Sequence, residues 1–180
     1  MEAPGALRMS PRETSWSPPD VDRVRAAQRG DTLAMSELLD DLAGYVGRLC
    51  APIALDDGPD AAQETLVQVF RDLRSLRGPA ALRSWVRRIA LREAVRHAER
   101  RRREPPVEVP ELPVSSDPDL ARDVRGVLAR LSAEQRAVLV LRDLEGYSER
   151  EAAEELAVAR GTVKSRLHRA RAAFLERWPR

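Results

Sequence analysis

Two amphipathic helical patterns joined by four residues constrain the end of this chain more tightly than any other feature. Ser148 and Glu151 have the spacing of a capping box, and Ala152, Ala153 and Leu156 then give an apolar stripe at helical spacing. After a short break at Ala157 to Arg160, a second run starting at Gly161 places Val163, Leu167, Ala170 and Phe174 on one face. Two helices with facing stripes and so short a joint predict a helix-turn-helix. At about 100° per residue, Gly161, Ser165, His168, Arg169 and Ala172 point away from the stripe, with Thr162 and Lys164 on its shoulders. Short donors beside cations suit a DNA major groove, where Arg or Lys pairs with guanine edges and neighbouring cations hold phosphates. Arg160, at the helix start, is better placed for backbone than for bases.

A net charge of +2 looks small for a nucleic-acid binder until it is divided along the chain. Arg83 to Arg103 holds nine arginines against Glu93 and Glu99, a local +7, and Arg160 to Arg180 holds seven cations against Glu176, a local +6. The remainder therefore carries −11. Two basic segments on an acidic background imply two nucleic-acid contacts and a surface of another kind. The 180 residues suffice for one or two small domains, and 43% hydrophobic with only 4% aromatic residues suits packed Leu, Ala and Val helices.

Cys50 is the sole cysteine, which excludes an internal disulfide and any zinc spacing; its apolar neighbourhood predicts a core position. No stretch approaches a membrane span, and no apolar signal segment opens the chain, so a cytoplasmic protein is expected. The only histidines, His97 and His168, lie among arginines, and there is neither a paired-carboxylate pattern nor a glycine-rich phosphate loop. No catalytic, metal or cofactor site is therefore expected.

Residues 1–20, with Pro4, Pro11, Pro18 and Pro19, read as a disordered tail. Asp20 to Gln28 reads as a short helix stopped by Gly30. Asp31 or Thr32 caps a longer one bearing Leu38, Leu42, Val46 and Leu49, which Pro52 and the turn from Asp56 to Pro59 end. The third helix is expected from Asp60 to Leu76 with Ala62, Leu66, Val69, Phe70 and Leu73 inward. The fourth is expected from Ala80 to Arg102 on Leu82, Trp85, Val86, Ile89, Ala90 and Val95. Residues 104–118 are rich in Pro and Glu and predict an extended, flexible acidic linker. Helices from Leu120 to Leu131 and from Ser132 through Leu141 precede the helix-turn-helix. The expected fold is all-α: a helical bundle over 21–103 joined by the linker 104–118 to a helix-turn-helix domain over 119–180.

This layout resembles the extracytoplasmic-function class of bacterial sigma factors over roughly residues 20–175. Leu131 to Gly146, followed by Gly161 to Arg171, is similar to that family's reader of the minus-thirty-five promoter element. The resemblance implies that Lys164, Ser165, His168 and Arg169 face bases while Arg166 and Arg171 contact phosphates; the helical wheel instead puts Arg171 nearer the packed flank. Asp60 to Leu66 resembles the signature on the helix that docks the RNA polymerase clamp, and Asp60, Gln63 and Glu64 form one polar edge suited to a basic partner helix. Leu82 to Ala90 resembles the segment that opens the minus-ten element and captures single-stranded DNA. Arg83, Arg87 and Arg88 would track its backbone beside Ser84 and Trp85, with Trp85 in line with Ile89 and so expected in the core.

Arg92 and Arg96 stand where the family commonly has Asn and Asp, implying stronger backbone attraction and less base reading. Ala157 replaces the usual turn glycine, and Ala159 leaves the recognition helix poorly capped. The resemblance implies a promoter-specificity subunit that binds core RNA polymerase and promoter DNA, both duplex and melted strand. It also implies an anti-sigma partner of the kind such factors often have. The alternative is a helix-turn-helix regulator whose N-terminal helical domain binds a ligand or partner; the acidic docking edge and the second basic segment speak against it.

Overall fold

The computed structural model describes residues 20–103 and 118–177. Every regular element among them is helical, and none is long and apolar enough to cross a membrane. The expected tail over 1–20 and linker over 104–118 lie outside these residues except at their inner ends. Asp20 is the N-cap of the first helix, accepting from the Asp22 amide at 3.0 Å, and Pro118 opens the fifth.

Helix α1 (Val21–Gln28) ends at Gly30, whose φ of 98° admits the reversal into α2 (Thr32–Ala54). Asp31 caps α2 by accepting from the Ala34 amide at 3.0 Å. The expected stripe of Leu38, Leu42, Val46 and Leu49 is buried, joined by Tyr45 and Ile53. Pro52 does not stop α2, which continues to Ala54 because Ile53 and Ala54 pack into the core. The reversal falls at Leu55, and α3 (Gly58–Asp72) begins two residues before the expected Asp60. Gly58 permits the close crossing of α2 and α3, since a Cβ there would lie 2.9 Å from Ala51 Cα.

The buried face of α3 is centred about one residue earlier than expected. Its inward residues are Ala61, Thr65 and Val69, followed by Leu73 just beyond its end. Ala62 and Leu66 are half-buried, and Phe70, expected in the core, is 58% exposed. Thr65 can occupy the core because its hydroxyl donates to the Ala61 carbonyl at 2.7 Å.

Helix α4 (Leu82–Arg103) buries Leu82, Val86, Ile89, Ala90, Leu91 and Ala94, whereas Trp85 and Val95 are only half-buried against the core. Cys50 is buried, as expected, and burial pushes its thiol up to about 12.

Helix α5 (Pro118–Ala129) starts two residues before the expected Leu120. Helix α6 (Ala133–Leu139) opens with a Ser132–Gln135 capping box and passes into a π-helical turn, Val140–Leu144. Helix α7 (Glu149–Glu155) carries the predicted Ser148–Glu151 box, and α8 (Arg160–Arg177) follows. The joint is tight enough to force Ala157 to φ 51°, a left-handed conformation in which a Cβ is strained. Ala157→Gly should therefore raise stability by about 0.5 to 1 kcal/mol, after allowing for glycine's freer unfolded chain. Denaturant titration checks this, and an unchanged or lower midpoint would contradict it.

One buried apolar cluster runs through α1–α4 and into α6–α8. Arg136 is buried as well, only 6% exposed. It donates through Nε to the Ile53 carbonyl at 2.7 Å and through Nη1 to the Leu128 and Leu131 carbonyls at 3.1 and 2.9 Å. These acceptors lie at or beside the C-terminal ends of α2 and α5, where carbonyls lack intrahelical partners and the helix dipole favours a cation.

Candidate nucleic-acid interface

On α8, Val163, Leu167 and Ala170 are buried, while Gly161, Lys164, Ser165, His168 and Arg169 are exposed. The wheel places these residues correctly because α8 is continuous and has no internal break. Thr162 and Arg166 are half-buried on the shoulders; Arg166 lines a cleft with Glu134, whose carboxyl is held below the usual range by the Ser132 hydroxyl, with a smaller contribution from Arg166. Ser165 Oγ donates to the Thr162 carbonyl at 3.0 Å.

Arg160 donates to Glu149 at 3.3 Å. Arg171 is exposed rather than packed and donates to Asp143 at 2.7 Å. Such exposed pairs contribute little to stability, so a phosphate can replace the carboxylate at small cost.

The basic flank of α4 is less uniform than its sequence suggests. Arg88 is exposed and Arg83 half-exposed, and Ser84 Oγ donates to the Ala81 carbonyl at 2.9 Å. Arg87, expected beside them on a backbone-tracking flank, is only 3% exposed because the C-terminal half covers it. It donates to Glu155 at 2.9 Å and stacks on Tyr147 with 4.4 Å to the ring centroid. Burial is the largest single influence and opposes its charge, but the Glu155 hydrogen bond together with the electrostatic interactions with Tyr45, Glu155 and Tyr147 outweighs it, and its pKa is raised.

Arg92 and Arg96 face outward yet converge on buried Glu93, at 3.4 and 2.7 Å, and Arg92 also donates to Gln68 at 2.8 Å. Part of their charge is thus already matched within the helix.

Asp60, Gln63 and Glu64 are all exposed on α3. Phe70 follows Gln63 by two turns and shares its face, so the polar edge continues into an exposed aromatic.

Tyr45, Glu145, Tyr147 and Glu155 were not marked by any sequence pattern, because the α4 arginines that they meet are distant in the chain. Arg136 did leave a signal. It shares a stripe with Ala133, Ala137 and Val140, an inward position for a cation.

A helix-turn-helix with an outward cationic face, packed on a helical bundle with a second basic face, defines a helical DNA-binding protein. Comparison with known proteins narrows the class. Residues 35–104 match the family described as sigma-70 region 2, and residues 121–174 match sigma-70, region 4. The chain is 33% identical over 159 residues to an ECF RNA polymerase sigma factor, SigM, of Mycobacterium tuberculosis, covering 85% of this chain and 81% of that one. It is 30% identical over 173 residues to the ECF RNA polymerase sigma-E factor of Haemophilus influenzae, covering 84% and 91%.

Among solved structures, CnrH in complex with the cytosolic domain of CnrY is similar at a TM-score of 0.58 and 26% identity, covering 86% of this chain and 94% of that one. The sigma factor RpoE of Bartonella quintana, solved with the anti-sigma factor NepR, shares the fold at a TM-score of 0.65 and 24% identity, covering 81% and 98%. The chain belongs to the extracytoplasmic-function RNA polymerase sigma factors. It is a promoter-specificity subunit that binds core RNA polymerase and directs transcription initiation.

Proposed function

We propose a division of labour within this sigma factor. The edge of Asp60, Gln63 and Glu64 docks core polymerase through a basic helical element, and exposed Phe70 extends that surface. The Arg83 to Arg103 segment holds the melted minus-ten strand, with Arg83 and Arg88 foremost. Helix α8 reads the minus-thirty-five element with Lys164, Ser165, His168 and Arg169, while Arg160, Arg166 and Arg171 grip phosphates. Residues 21–103 and 119–180, joined in sequence by 104–118, supply two binding surfaces on one shared core.

The chain contributes binding and no chemistry, and it works in the cytoplasm on the nucleoid. That relatives of this fold were solved with CnrY and NepR supports an anti-sigma partner for this chain as well.

The observation that carries this reading is the outward row of Lys164, Ser165, His168 and Arg169 directly opposite buried Val163, Leu167 and Ala170. A recognition helix needs that division between a packed and a protruding face. Arg169→Ala should cost about 1 to 3 kcal/mol on the preferred upstream element and less where the contacted base pair is altered. Arg160→Ala should weaken all sequences alike and reduce the salt slope by about one ion. Binding measured against a panel of single-base-pair changes decides it: equal loss on every sequence for Arg169→Ala would remove that residue from base reading.

A further inference from the structure

Helix α4 carries a buried carboxylate with two arginines gathered over it. Glu93 is 6% exposed, and burying a lone carboxylate is costly unless donors meet it. Arg96 brings Nε to 2.7 Å and Nη2 to 2.6 Å of its Oε2, and Arg92 Nε reaches Oε1 at 3.4 Å. Arg92 also donates through Nη2 to Gln68 of α3 at 2.8 Å. The two guanidiniums lie at i and i+4, where like charges repel and would splay apart without a carboxylate between them. Their own side chains are 58% and 54% exposed, so the pair sits at the surface although its anchor does not.

We propose that Glu93 is a positioning residue that holds Arg92 and Arg96 as a clamp for a single phosphate of the melted strand. The clamp rests on the reading of Arg83 to Arg103 as the strand-holding segment. Two cations over one carboxylate leave a net charge of +1, which one phosphodiester neutralises.

The bonds already made also decide what the pair can recognise. An arginine reads a base edge with two donors of one guanidinium acting together. In both arginines Nε and Nη2 are engaged on Glu93 or Gln68, while neither Nη1 has a hydrogen-bond partner among the described residues. One remaining donor group from each, held side by side, suits two oxygens of a phosphate better than the edge of a base. The strand is therefore gripped at this point whatever its sequence, and base choice in the minus-ten region falls to other residues.

The test uses holoenzyme assembled from the full chain and core RNA polymerase, with core alone as background. The probes are two fluorescent single strands of equal length, one of thymine only and one of mixed sequence, titrated over a range of salt. Circular dichroism of the free chain reports helicity. Arg92→Gln, Arg96→Gln should weaken both probes equally, by about tenfold, and lower the salt slope by about 0.7, the value for one phosphate on a single strand. Glu93→Gln should weaken both by about threefold, although it removes a negative charge from a DNA-binding face. Adding it to the two arginine substitutions should cost nothing more, because it acts only through them.

A Glu93→Gln chain that binds strand equally well or more tightly overturns the anchoring role. So does an equal loss with and without the arginines, which would mark a purely structural effect. An unchanged slope in the arginine variant would mean no phosphate contact, and a change of about 1.4 would mean two separate phosphates. Either rejects the clamp, as does a loss confined to one probe, which would mean base reading. If Glu93→Gln loses helicity, Gln68→Ala, which frees Arg92 alone, takes its place with the same direction expected. Arg88→Gln separates the clamp from the reading beneath it. Where that substitution weakens strand binding and the Arg92 and Arg96 pair does not, the strand-holding segment stands without the clamp. If neither weakens it, both fail.

Discussion

Replacing Arg136 with Met should destabilise the folded chain by about 3 to 5 kcal/mol, a loss at the upper end of what single substitutions cause. Met matches the arginine stem only as far as its Nε, so the buried guanidinium is removed and its space is left unfilled. The Ile53, Leu128 and Leu131 carbonyls also lose the donor they share. Burial lowers the Arg136 pKa, with the nearby Glu134 charge partly offsetting it, so the native state already bears a cost for this cation. That cost is tolerated because the guanidinium caps the ends of helices from both halves of the chain. Equilibrium unfolding in urea is the direct check, and a loss below about 1 kcal/mol would mean that the carbonyls find other partners.

The second large effect concerns the polymerase. Gln63→Arg with Glu64→Arg adds two positive charges and removes one negative charge, a net change of +3, on an exposed edge proposed to meet a basic element. Like-charge juxtaposition costs several kcal/mol, so binding of core polymerase should fall by about a hundredfold or more. Both residues are exposed, so the fold should hold to within about 0.5 kcal/mol. Pull-down of core enzyme, with thermal unfolding run in parallel, separates the two effects. A variant that retains normal core binding would exclude Gln63 and Glu64 from the docking surface.

How much of this was legible in the sequence depends on the range of the interaction concerned. The Ser148–Glu151 box and most of the α8 faces are set within a few residues by helical period and capping chemistry and are found as expected, except that Arg171 is exposed and Ala172 half-buried. The phase of α3 was not legible. Helical period fixes which residues share a face, but which face turns inward is set by how α3 packs on the preceding helix, with Gly58 close against Ala51. Phe70 consequently turned from expected core to exposed surface.

Pro52 misled for a related reason: tertiary burial of Ile53 and Ala54 outweighs one missing backbone donor. Arg87 reads as one more cation in a basic run, yet Ala90 and Ala94 lie along its face and leave room for the other half of the chain to cover it. The partners Glu145 and Glu155 are about 60 residues away in sequence, beyond any local pattern.

The most direct test of the central account is transcription in vitro by core RNA polymerase on the source organism's genomic DNA fragments, with and without this chain, followed by mapping of start sites. The account predicts a discrete set of start sites that appears only when the chain is added. Those sites should share an upstream element whose recognition Arg169→Ala relaxes, and Gln63→Arg, Glu64→Arg should abolish the whole set. If the chain binds duplex DNA but core polymerase initiates at the same positions whether or not it is present, the assignment as a promoter-specificity subunit is contradicted.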